Sequence, residues 1–79
     1  MVCLYSRYCN KVEDINDIAN NISEILRDET YKVRYINLRI GVANETFLTI
    51  SELTEALTKF ISANFIPWVT LISDRNKND

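Results

Sequence analysis

The chain has 79 residues, 47% hydrophobic and 25% charged, with one glycine and one proline. That is the make-up of a single small folded domain near the size where one core barely suffices, and it excludes a second domain or a low-complexity chain. Net charge is −2 with Lys and Arg scattered, so no basic footprint exists for phosphate backbones and no nucleic-acid partner is expected. The absence of histidine removes Ser-His and Cys-His catalysis and most zinc sites, and no metal is expected.

No apolar run approaches the roughly 20 residues of a membrane span, and the opening MVCLYSR lacks the basic and apolar stretches of a secretory signal. The expectation is a cytoplasmic chain with no membrane partner, in which Cys3 and Cys9 are both reduced.

In chain order, residues 2–5 are a short apolar run of β-formers bounded by Ser6 and Arg7, which reads as a buried strand with Cys3 as a packing residue. From Val12 the apolar positions Val12, Ile15, Ile18, Ala19, Ile22, Ile25 and Leu26 recur at threes and fours and define one face of a helix. Asn10 as N-cap with Glu13 three residues on forms a capping box. Residues 31–40, YKVRYINLRI, put Tyr31, Val33 and Tyr35 on one face of a strand and Ile36, Leu38 and Ile40 on the other. A strand apolar on both faces is expected inside a sheet, with helices covering each side. Gly41 ends it, and residues 42–47 read as a loop.

Thr49 and Glu52 stand at capping-box spacing, with Leu48 and Leu53 as a staple, ahead of a second amphipathic helix over 50–64. Pro67 forbids further helix, residues 68–72 read as a strand, and the polar residues 73–79 as a frayed tail. The order β-α-β-α-β describes one α/β domain over 1–79, opening with a right-handed β-α-β unit of parallel strands.

Two stretches, VCLYSRYC at 2–9 and FIPWVTLIS at 65–73, together with this element order, resemble the thioredoxin superfamily, in particular glutaredoxins and related small redoxins. In that family a strand ends in Tyr-Ser or Tyr-Thr before a cysteine-bearing turn, and an Ile-Pro or Val-Pro step leads into an apolar strand. The resemblance implies a truncated thioredoxin-like fold, a small mixed sheet flanked by helices. It implies Cys9 as nucleophile, and Pro67 as a cis-proline facing it. Arg7, Tyr8, Lys11, Ile66 and Pro67 are then expected around the substrate, with glutathione as a co-substrate and no bound cofactor. Arg7 and Lys11 beside the helix start would favour the Cys9 thiolate. The chain departs from the family at Val12, where dithiol members carry a second cysteine, and in having no Gly-Gly pair after Gly41.

Two functional readings fit these residues. In the first, the chain is a glutaredoxin-like redox protein, a thiol-disulfide oxidoreductase working on protein thiols or glutathione through the single Cys9. In the second it is a non-catalytic thioredoxin-like module that binds a protein, such as a phage product acting on a host factor, an origin that suits the AT-rich coding implied by nine Asn and ten Ile. The second reading expects the strand from Trp68 to Ile72 to be an apolar sheet edge that pairs with a partner or with a second copy, giving a homodimer.

Overall fold

Both amphipathic segments form helices in the computed structural model, which describes residues 2–73. In chain order the elements are β1 (Val2–Tyr8), α1 (Val12–Leu26), a 3₁₀ turn (Glu29–Tyr31), β2 (Val33–Ile40), β3 (Ala43–Phe47), α2 (Ile50–Ser62) and β4 (Trp68–Ser73). Ser73, expected in a polar tail, is the buried last residue of β4; it donates to the Tyr31 carbonyl and ties β4 to the start of β2. Residues 74–79 of that expected tail lie outside the described residues.

The α/β class expected from the sequence is seen, but the sheet is not mixed. Its order is β1-β4-β2-β3 and every neighbouring pair is antiparallel. β1 and β2 run the same way with β4 between them, and β3 and β4 run the same way with β2 between them, so two split β-α-β units interleave. The two crossovers join oppositely directed pairs of strands and run across the sheet in opposite senses. Crossovers of like hand therefore fall on the same face. α1 and α2 pack against each other there, over a core of Ile15, Ile18 and Ile22 from α1, Leu53 and Leu57 from α2, and the strand residues Ile36, Leu38, Val69 and Leu71. Leu38 stands opposite Val69 and Ile36 opposite Leu71 across the β2–β4 pair, and burying each such side chain contributes about 1.5–3 kcal/mol relative to exposure. The expectation of helices on both sides of β2 is thus corrected: among the described residues both helices cover one face and none covers the other.

Local chemistry explains several further departures. An irregularity between Val33 and Tyr35 in β2 shifts its register against β4. Such a bulge breaks strict alternation, so Val33 packs against the core beside Ile36 instead of opposite to it. β1 has its own irregularity between Cys3 and Tyr5, and Cys3 is exposed, not a packing residue. β3, expected as a loop, is an edge strand whose sequence ANETF needs only Phe47 to pack. Gly41 at φ +61° opens the two-residue turn between Ile40 and Ala43, the place in such hairpins where glycine is favoured. β4 is paired on both sides, so the expected free edge from Trp68 to Ile72 does not exist and no dimer forms by pairing along it.

Both helix starts and the end of α2 carry specific contacts. α1 starts at Lys11 without a side-chain cap, not at Asn10. The Asp14 carboxylate, rather than Glu13, reaches back to the Asn10 N–H at 3.0 Å and also accepts from Arg7 Nη2 at 2.9 Å. α2 is capped as expected, with Glu52 N–H donating to Thr49 Oγ1, although Leu48 is 79% exposed and makes no staple. α2 closes at Ser62 in a Schellman motif: Asn64 N–H donates to Ile61 O, Phe65 N–H donates to Phe60 O, Asn64 sits at φ +68°, and the Phe60 and Phe65 rings meet edge-to-face at 6.2 Å. This turn aims Ile66 and Pro67 at the end of β1.

Candidate functional site: Cys9 and the open sheet face

The end of β1 and the start of β4 lie side by side, with Tyr8 opposite Trp68. The Cys9 N–H continues the pairing by donating to the Pro67 carbonyl at 2.9 Å. The two residues singled out by the redoxin resemblance are therefore neighbours, as that resemblance implies. Their chemistry differs from the expectation. The described residues contain no cis peptide, so the bond before Pro67 is trans, and Pro67 is fully buried. Cys9 has 0% exposure and belongs to the hydrophobic core. Burial pushes its thiol above the ordinary value and the Asp14 carboxylate pushes the same way, against a backbone hydrogen bond at Lys11 and the Arg7 charge. A protonated thiol without exposed surface is a poor nucleophile.

The remaining expected site residues divide between the two faces. Arg7 points to the helix side, where it pairs with Asp14 and lies 3.9 Å from Asp17. Lys11 is the exposed N-cap of α1. Tyr8 and Ile66, by contrast, meet on the open side, 54% and 56% exposed.

Register places the open face in three rows. Tyr8, Trp68, Arg39 and Asn44 form one across all four strands; Ser6, Thr70, Asn37 and Thr46 form the next; Cys3, Ile72 and Tyr35 form the third. None of these residues is buried and none is acidic. In the first row the Tyr8 and Trp68 rings lie 4.3 Å apart at 57°. A cavity of about 400 Å³ is lined there by Tyr8, Trp68, Arg39, Gly41 and Ile66. Arg39 Nε donates to the Gly41 carbonyl at 2.8 Å, which holds the base of the guanidinium at the hairpin turn. Among the described residues Arg39 forms no ion pair.

Arg39 and Gly41 are the members of this site that the sequence reading missed, and Trp68 enters that reading only as the first residue of an apolar edge strand. A signal existed: counting by two from Tyr35 puts Arg39 on the same face. The neighbours that give that face a meaning come from distant strands.

Among the described residues no group of three or more His, Cys, Asp or Glu side chains could hold a metal ion, and no helix is long and apolar enough to cross a membrane. No family profile matches the chain, and no curated protein and no solved structure matches it significantly.

Proposed function

We propose that the chain is a non-catalytic protein-binding module that contacts its partner through the open sheet face. The observation that carries this reading is the contrast between the two candidate sites: Cys9 is buried in the core, while among the described residues no helix covers the second face of the four-stranded sheet, which ends in an aromatic pair and an arginine without an ion pair. The rim of that end carries two exposed apolar side chains, Val42 at the hairpin turn at 96% and Ile66 at 56% exposure. Clusters of exposed apolar side chains of this kind mark interaction surfaces.

Thiol-disulfide exchange through Cys9 has less in its favour. Its support is the Cys9–Pro67 juxtaposition and the helix start three residues on. Against it stand the burial, the raised thiol and the lack of a second cysteine nearby. The likeness to redoxins has the same juxtaposition in its favour and the all-antiparallel sheet against it, since that likeness implies a mixed one.

The test is photo-crosslinking with benzoylphenylalanine placed either at Asn37 on the open face or at Glu55 on the exposed side of α2. The expected result in extracts of the source cell is a discrete protein adduct from position 37, competed by excess unlabelled protein, unchanged by Cys9→Ala and absent from position 55. No adduct from position 37, or equal adducts from both positions, would overturn the reading.

A further inference from the structure

We infer that the cavity at the first row of the open face takes an acidic peptide, specifically an apolar or aromatic side chain with a carboxylate within two residues of it. This rests on the binding-module reading and supplies the partner's chemistry. Three features of the cavity argue for it. Its walls are the Tyr8 and Trp68 rings and the Ile66 side chain, and its volume of about 400 Å³ lies in the range of small-ligand pockets. Its one charged group is Arg39, with Nε engaged by the Gly41 carbonyl and no carboxylate from the described residues on the rest of the fork. A planar guanidinium held from one edge offers its other edge to a carboxylate. The third feature is the surroundings: the rows beside it carry hydroxyls and amides but no acid, and the Asn37 side-chain amide donates to Asn44 Oδ1 at 3.2 Å.

The alternatives fit less well. A single-stranded nucleic acid would find bases to stack on Tyr8 and Trp68, but its affinity depends on several phosphate contacts. Here one arginine lines the cavity, in a chain whose net charge is −2. A second copy meeting this one through the same patch about a two-fold axis would bring two copies of Arg39 into one contact, like charge on like charge.

The experiment is selection of a displayed library of random heptapeptides on the immobilised full chain. It is followed by NMR titration of a synthetic peptide from the selected set into the wild type, Arg39→Gln and Arg39→Lys. The expected outcome is a set in which Asp or Glu lies within two positions of Phe, Trp, Leu or Ile. Its binding shifts the amides of Tyr8, Trp68 and Gly41, and it falls at least about tenfold in Arg39→Gln with partial recovery in Arg39→Lys. Both substitutions are at an exposed position, and an unchanged amide spectrum elsewhere reports that each variant folds.

Peptides selected without acidic preference, shifting the same amides and indifferent to Arg39→Gln, would overturn this inference and leave the binding-module reading standing. No selection above background, or shifts confined to other surfaces, would count against both. Concentration-dependent shifts of Tyr8 and Trp68 without peptide would make the occupant a second copy. Tighter binding of a thymidine decamer at the same amides would make it nucleic acid, and either result overturns the inference.

Discussion

A thiol with no exposed surface reacts only when the chain around it opens, and this separates the two cysteines. Cys3 is exposed and Cys9 is buried, so alkylation of the native protein followed by mass spectrometry should show Cys3 modified at once and Cys9 only at the rate of opening. Prompt alkylation of Cys9 would restore the redox reading. The same burial sets a pH dependence. Because the folded state holds the Cys9 proton above the ordinary thiol value, roughly 8.5, its contribution to stability is fully present below that value. It is lost as the pH rises through the ordinary value toward the folded one. Urea unfolding at pH 7 to 10 should therefore show a steeper fall for the wild type than for Cys9→Ala, and parallel curves would show that the fold accommodates the thiolate. At this scale the sequence was partly legible. It showed that a carboxylate would serve the start of α1, but Glu13 and Asp14 are adjacent, and only the placement of Arg7 on β1 selects Asp14.

Elements with strong local chemistry were legible nearly to the residue. α1 and α2 follow their apolar period, and the Thr49 cap forms as its spacing implies. α2 ends two residues before the apolar pattern does, because Asn64 takes up the left-handed conformation and the Phe60–Phe65 contact closes the turn. β3 was invisible because an edge strand asks little of its side chains: it is exposed along Ala43 to Thr46 and its pairing is set by β2. Gly41 links that hairpin to the proposed site. Its φ of +61° is a region that residues with a Cβ rarely adopt, while a Cβ there would meet no atom within 4 Å. Gly41→Ala should thus cost about 1 kcal/mol from backbone conformation alone, measured as a shift in the denaturation midpoint. It should also weaken peptide binding by disturbing the carbonyl that holds Arg39. A variant as stable as the wild type would mean that the turn relaxes without strain.

For the molecule as a whole, the position of β4 matters most. A strand paired on both sides and packed against both helices opens last, whereas β1 and β3 each pair on one side only among the described residues. Hydrogen exchange followed by NMR should find the slowest amides at Val69, Thr70 and Leu71, with β3 exchanging fastest among the strands. Protection confined to β1 and β2 would contradict the observed order. The same topology creates the open face. Once both crossovers lie on one side, nothing in 2–73 covers the other, and residues far apart in sequence, Tyr8, Arg39 and Trp68, become one row.

Periodicity, caps and breakers are local, and they determined which segments become helices and most strands and which side chains reach the core, since each depends on residues a few positions apart. Strand order, the sharing of one face by both helices and the burial of Cys9 depend on which distant strands pair, and pairing energies are nearly indifferent to the sequence signals that mark a strand. That is why the cysteine looked like the active residue in the sequence. Only the inserted β4 drew it into the core and left Tyr8, Trp68 and Arg39 at the surface.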